Sequence, residues 1–237
     1  MTTYVLVHGA WHAGWSWDKV APRLEKAGHK VIAPDLPGLG EDRTPLNKIS
    51  LPLWRDFVAD IASAQTDPVI LVGHSRGGIV ISEVAELRPR NLRTLVYVSG
   101  FLLRRGESLF DLAHQDRTSL ISPNMVMSED KTSSTISSAV ARDAFYGECS
   151  DEDAAMAGSR LQPEPTLPLA TPLTVTEGNF GGVPRVYIEC LRDKAVTPGL
   201  QKQMYTALPC RRVLSIDTDH SPFLSRPDEL VAHLLAI

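Results

Sequence analysis

Apolar residues fall in short continuous runs, separated by stretches with helical spacing. Tyr4-Val-Leu-Val7 is such a run and predicts a strand buried on both faces. Val20, Leu24 and Ala27 then sit at i, i+4 and i+7 and predict a helix that Gly28 ends. Val31-Ile-Ala33 predicts the next strand, broken by Pro34 and Pro37-Gly38. Ser50 and Pro52 mark a helix start, with Leu53, Phe57, Val58 and Ile61 as its expected buried stripe. Val69-Ile-Leu-Val72 predicts a strand. Ile79, Val80, Val84 and Leu87 predict a helix that stops before Pro89, and Leu95-Val-Tyr-Val98 another strand. Strands alternating with helices imply parallel β-α-β units with right-handed crossovers.

From 101 to 183 the pattern fails. This stretch holds a polar run from Thr132 to Ser138, scattered Met and Phe, and a Pro-rich run at 163–172. Helical fragments are expected near 139–147 and 150–161, and no strand. Regularity returns with strands at Arg185–Ile188 and Arg212–Ile216 and helices at 199–208 and Pro227–Ala236. The expected organisation is an α/β body from 1–100 and 184–237, carrying a small helical cap at 101–183.

Composition narrows the class. The chain has 237 residues, 43% of them hydrophobic and 22% charged. That size buries a sizeable core without disulfides or metal. Lys+Arg is 24 against Asp+Glu 28, and no long basic run occurs, so no nucleic-acid partner is expected. No apolar run approaches the ~20 residues of a membrane span, so no membrane partner is expected. Cys149, Cys190 and Cys210 are odd in number and widely spaced, which fits neither a disulfide scaffold nor a zinc cage. A strand beginning at residue 3 leaves no room for a signal peptide, so the expected location is the cytoplasm. A homodimer is left open.

The chemistry centres on Gly73-His-Ser-Arg-Gly77, a G-x-S-x-G between a predicted strand and a predicted helix. In that context the motif is a nucleophile elbow, a sharp turn that lifts Ser75 Oγ out of the sheet. Glycines stand two residues either side because a side chain there would collide with backbone. Ser75 also sits at a helix N-terminus, whose free N–H groups favour developing negative charge. A serine nucleophile needs a base, and His220 lies in the loop after the last strand, on the same sheet edge. Chain order then calls for an acid between the two. Asp193, after the strand 184–190, fits; it would hold the His220 tautomer and stabilise the imidazolium. Asp217 and Asp219 are nearer in sequence, but one short loop rarely aims a carboxylate at the far ring nitrogen. The loop after strand 93–98 offers Ser99-Gly-Phe and no carboxylate. Acyl transfer also needs donors for an oxyanion. The N–H of Arg76 is one, and Ala10 N–H, in His8-Gly-Ala-Trp-His12, is the best candidate for the other.

These stretches resemble the α/β-hydrolases, and within them the branch holding hydroxynitrile lyases and methyl-ester hydrolases. The resemblance rests on Val5-Leu-Val-His-Gly-Ala-Trp-His-Ala-Gly-Trp-Ser-Trp17, Ala27-Gly-His-Lys-Val31 with Asp35-Leu36, and Ile70-Leu-Val-Gly-His-Ser75. Val186-Tyr-Ile188 with Asp193, and Asp219-His220, complete it. It covers most of the chain outside the cap. It implies an α/β-hydrolase fold, a Ser75-His220-Asp193 triad with Ala10 and Arg76 N–H as oxyanion hole, and no cofactor. Lyases of this type carry Thr in the oxyanion loop and Lys near the catalytic Asp or His, where it holds the departing cyanide. Here Ala10 and Ser221 stand instead, leaving only Lys194 for that charge, so the resemblance favours a carboxylic ester hydrolase acting on a small-molecule ester. Hydroxynitrile cleavage, amide, carbamate or lactone hydrolysis, and a non-catalytic ligand receptor are the alternatives. Arg76 departs from the branch, which often has an apolar residue there. Its side chain either enters the site or turns away to pair with an acidic neighbour.

His8 and His12 span a strand end and a loop rather than one helix face, so no metal site is expected. His74 is expected to pack under the elbow. Trp11, His12, Phe101 and Phe145 are the candidate substrate-binding residues.

Overall fold

In the computed structural model, which describes residues Met1–Ile237, the apolar runs lie side by side in one parallel sheet. The strands are β1 (Thr3–Val7), β2 (Lys30–Ile32), β3 (Val69–His74), β4 (Leu92–Val98), β5 (Val126–Met127), β6 (Ser133–Thr135), β7 (Glu164–Pro165), β8 (Arg185–Cys190) and β9 (Arg212–Ile216). Six of them form the main sheet in the order β2-β1-β3-β4-β8-β9, every pair parallel. The helices are α1 (Ala21–Lys26), α2 (Leu51–Ser63), α3 (Gly77–Glu86), α4 (Leu109–Ala113), α5 (Ser138–Phe145), α6 (Asp151–Ser159), α7 (Leu167–Ala170), α8 (Pro198–Ala207), α9 (Pro222–Ser225) and α10 (Pro227–Leu235).

Alternate strand residues feed two cores, one on each face of the sheet. Val5, Val7, Leu71, Leu95, Tyr97 and Tyr187 pack with Trp54, Val58, Ile79, Leu200 and Met204 of α2, α3 and α8. Tyr4, Leu6, Val72, Val96, Val98 and Ile188 pack with Trp17, Leu24, Phe223 and Leu230 on the other face. Covered on both sides, central strands must be apolar at every position, which is why they read as continuous runs.

Two helices differ in detail from their sequence reading. In α2 the Ser50 hydroxyl caps the start, accepting from Leu53 N–H at 3.3 Å. Its fully buried face is Leu51, Trp54, Val58 and Ala62, whereas Leu53 is exposed and Phe57 and Ile61 are only partly covered. The helix is rotated so that the Trp54 indole N–H reaches Pro37 O, at 2.9 Å. Helix α3 is buried on all sides from Gly77 to Ala85, and only its end at Leu87 is exposed. A helix in the middle of a fold needs no polar face.

The segment between β4 and β8 contains short helices, as expected, and also a three-stranded antiparallel sheet, β5-β6-β7, that the sequence did not suggest. Strands of two or three residues are too short to display an alternation. Their pairing depends on a local turn, in which the Asp130 carboxylate accepts from Ser128, Thr132 N–H and the Thr132 hydroxyl. Buried or half-buried carboxylates tie this segment to the body. Asp116 accepts from Thr197 N–H at 2.9 Å, Glu83 from Thr174 N–H at 2.6 Å, and Asp219 from Glu148 N–H at 2.8 Å.

Candidate active site

Strand β3 ends at His74 and α3 begins at Gly77, leaving Ser75 and Arg76 to make the turn. Ser75 has φ 51°, a left-handed conformation that a non-glycine residue adopts only when its surroundings enforce it. They do so through three backbone hydrogen bonds. Ser75 N–H donates to Val98 O at 3.1 Å, and Ser75 O accepts from Gly78 N–H at 3.0 Å and Phe101 N–H at 2.9 Å. The flanking glycines leave no alternative. A Cβ on Gly73 would lie 2.7 Å from Gly77 O, and one on Gly77 2.5 Å from Val7 O.

The loop after β9 brings His220 to the same end of the sheet. Its Nδ1 lies 2.6 Å from Asp193 Oδ2, and both side chains are buried. The Asp193 carboxylate is held by four further donors. Oδ1 accepts from Ala195 N–H at 2.7 Å and Val196 N–H at 2.9 Å; Oδ2 accepts from Ser99 Oγ at 2.6 Å and Gln201 Nε2 at 3.4 Å. Ser99, itself at φ 44°, directly follows β4. It stands where the sequence shows no acid, and it contributes a hydroxyl to the acid in the loop after β8. Asp217 instead pairs with Arg192 at the surface, at 2.7 Å. Asp219 points away from the His220 ring and accepts from Glu148 N–H, Ser221 N–H and Ser225 Oγ.

Ala10 and Arg76 line one cavity together with Ser75 and His220. Neither the Ala10 N–H nor the Arg76 N–H has a hydrogen-bond partner within the protein. Buried peptide N–H groups are rarely left unpaired. Two of them beside a strained serine and a carboxylate-paired histidine are free to donate to an oxygen bound in the cavity. The Arg76 side chain turns away from the cavity chemistry to pair with an acid. Its Nε donates to Glu164 Oε1 at 2.9 Å, and the two side chains are 1% and 0% exposed. Its guanidinium also lies 4.2 Å from the Trp54 ring centroid.

The cavity wall is mostly apolar and comes largely from the inserted segment. Of the candidate substrate-binding residues, Trp11, Phe101 and Phe145 line it, beside Leu109, Phe110, Ile121, Met125 and Leu169. His12 does not. It lies behind the oxyanion loop, its Nδ1 2.7 Å from Ala10 O and its Nε2 2.8 Å from the Tyr146 hydroxyl. The loop turns sharply at Trp11, φ 61°, so the indole enters the cavity while the next side chain goes under it. Trp17 is buried in the core, and Trp15 sits in an outer groove near Arg160. His74 packs under the elbow and donates from Nε2 to His220 O at 2.8 Å. The residues that spacing could not supply are Ser99, Gln201 and Glu164. Ser99 and Glu164 act through contacts 94 and 88 positions away and Gln201 through one eight positions away, and none has a motif of its own.

His8, His12 and His74 are buried, and burial holds all three below the usual histidine range, His12 at about 4. Between the folded value and about 6.5 the unfolded chain binds more protons than the folded one. Stability is therefore full above about pH 6.5 and is lost as pH falls toward the folded values, by up to about 1.4 kcal/mol per pH unit per histidine. Urea unfolding is expected to give a clearly lower free energy at pH 5 than at pH 7, with a smaller difference in His12→Gln. Equal stability at the two pH values would contradict this.

No group of three or more His, Cys, Asp or Glu side chains is placed to hold a metal ion. The three cysteines are free, and burial pushes the Cys210 thiol up to about 11. No helix is long and apolar enough to cross a membrane.

Residues 4–233 match the model of the alpha/beta hydrolase family. Methylesterase 7 of Arabidopsis thaliana is 34% identical over 251 residues, covering 99% of this chain and 95% of that protein. The chain spans only 55% of the length of another, chloroplastic plant methylesterase that it matches. A carbendazim hydrolyzing esterase from Nocardioides is 44% identical over 115 residues, 47% of each chain. The structure of a pyrethroid hydrolase from Sphingobium faniae superposes with a TM-score of 0.89 at 28% identity, covering 99% of this chain and 96% of that one. With a six-stranded parallel sheet, a serine at its elbow and these relatives along its length, the chain belongs to the α/β hydrolase family, in its esterase branch.

Proposed function

We propose that the protein hydrolyses carboxylic esters of small or medium, partly apolar molecules, with Ser75 as nucleophile, His220 as base and Asp193 as its orienting acid. The observation that carries this reading is the pair of unpartnered N–H groups, Ala10 and Arg76, in the cavity that holds Ser75 and His220. His220 takes the Ser75 proton through Nε2 while Asp193 holds Nδ1–H. The Ser75 oxygen adds to the ester carbonyl, and the two N–H groups receive the oxyanion. Collapse expels the alcohol, which takes the proton from His220 and leaves an acyl-serine. Water, deprotonated by His220, then releases the acid and restores Ser75. Amide, carbamate and lactone substrates would use the same groups.

Hydroxynitrile cleavage needs a cation beside the base to hold cyanide. No lysine lines the cavity; Lys194 is exposed, and Ser221 follows His220. That supports hydrolysis over the lyase reaction. A panel of p-nitrophenyl and methyl esters of graded acyl length, run beside mandelonitrile, tests the choice. Ester turnover with negligible nitrile cleavage is expected. Efficient mandelonitrile cleavage would reverse the assignment, and tight ester binding without turnover would point to a receptor.

A further inference from the structure

The residue after the nucleophile carries a buried charge whose position is not accounted for by stability. A buried ion pair adds little net stability, because desolvation offsets the attraction. Burial lowers the Arg76 pKa and raises that of Glu164, while their mutual attraction opposes both shifts. One guanidinium nitrogen, Nη1, has no partner at all. What the pair does touch is the oxyanion loop, at both peptide groups that flank Ala10.

The Gly9 carbonyl belongs to the same peptide unit as the Ala10 N–H. It accepts from Arg76 Nη2 at 3.0 Å. His8 Nε2 accepts from Leu36 N–H at 3.2 Å, which places the ring proton on Nδ1 and lets it donate to the same Gly9 oxygen, at 2.9 Å. The following peptide is held at both ends. Its Trp11 N–H donates to Glu164 Oε2 at 3.0 Å, and its Ala10 oxygen accepts from His12 Nδ1 at 2.7 Å. One carboxylate thus bridges the guanidinium and the loop. Of the four polar groups in these two peptides, only the Ala10 N–H is left unpaired.

We propose that Arg76 and Glu164 are positioning residues that aim and polarise the Gly9–Ala10 peptide so that its N–H meets the oxyanion. This rests on the ester-hydrolase reading above. A positive charge at the oxygen end of a peptide draws electron density from its N–H and strengthens that donor. The brace also fixes the donor before substrate arrives, so no reorganisation is needed during reaction. The cavity-forming segment takes part, because Glu164 belongs to β7.

The test is the neutral pair Arg76→Gln with Glu164→Gln, which keeps hydrogen-bonding groups and avoids a lone buried charge. Removing an oxyanion donor costs about 10²–10³ in kcat; a misaimed and less polar donor is expected to cost about 10–10², with KM within about threefold. Affinity for a trifluoromethyl ketone, which adds to Ser75 as an oxyanion, should fall by the same factor. Affinity for the matching secondary alcohol, which has no oxyanion, should not change. A purely structural pair would lower the melting temperature and leave that ratio alone. A folded variant with wild-type kcat, or equal losses for ketone and alcohol, would overturn the proposal. The wild-type protein gives a second reading that does not depend on the variant folding. Its Gly9 carbonyl carbon and Ala10 amide proton should resonate downfield of their ordinary ranges without ligand, and ordinary shifts would also overturn it. Absence of ester turnover in the wild type would instead overturn the hydrolase reading on which the proposal stands.

Discussion

Ser75→Ala and His220→Ala are each expected to lower kcat on a good ester by on the order of 10⁴–10⁶. In the proposed mechanism the oxygen at position 75 bonds to the acyl carbon, and the imidazole at 220 moves the proton that makes this attack feasible at neutral pH. Each is useless without the other, so the double variant should be little worse than either single one. The residual rate would come from binding and the oxyanion donors, which neither substitution touches. A serine-directed phosphonate should label Ser75 in the wild type and nothing in Ser75→Ala. Ser75→Ala should change thermal stability little, since the φ strain is imposed by the backbone and stays. His220→Ala removes a buried ring that packs on His74 and Phe145 and pairs with Asp193, so it should also lower the melting temperature. Wild-type turnover by Ser75→Ala would end the proposed mechanism.

The next largest effect is expected at the acid. Asp193→Asn should cost roughly 10³–10⁴ in kcat with the fold intact. As a carboxylate, Asp193 only accepts, and the hydrogen bonds reaching it come from Ala195, Val196, Ser99, Gln201 and His220. An amide must turn its NH₂ toward some of these donors. If it faces Nδ1, the ring is driven to the tautomer that carries its proton on Nε2, where it cannot accept from Ser75. The two neighbouring aspartates supply the controls. Asp217→Asn removes an exposed pair with Arg192 and should leave kcat near wild type. Asp219→Asn disturbs a buried carboxylate that anchors Glu148 and Ser221, so it should lower the melting temperature more than kcat. A large loss of kcat at Asp219 with Asp193→Asn near wild type would move the acid.

Ser99 extends the same argument. Its hydroxyl spends its one proton on Asp193 Oδ2, 2.6 Å away and 94 positions along the chain. The sequence at that loop reads as the absence of an acid. The structure converts it into a donor for an acid in the loop after the adjacent strand, because β4 and β8 are paired and end at the same edge.

What could be read without coordinates was local or cumulative. The parallel sheet follows from apolar runs that alternate with helical spacings, since backbone geometry fixes both periods within a few residues. The elbow is contiguous, and its glycines and serine are dictated by contacts within one turn. Tertiary structure decided everything that depends on which distant residues meet. It rotated α2 so that Trp54 rather than Leu53 is buried, because the indole had a carbonyl to reach and a guanidinium to cover it. It sent His12 behind the loop while Trp11 entered the cavity. It built a small sheet from strands too short to carry a pattern. It joined Arg76 to Glu164 across 88 positions, a pairing that no spacing rule contains. Periodicity records the field each residue sees from its own helix or strand; a buried charge is settled by the one partner that packing delivers to it.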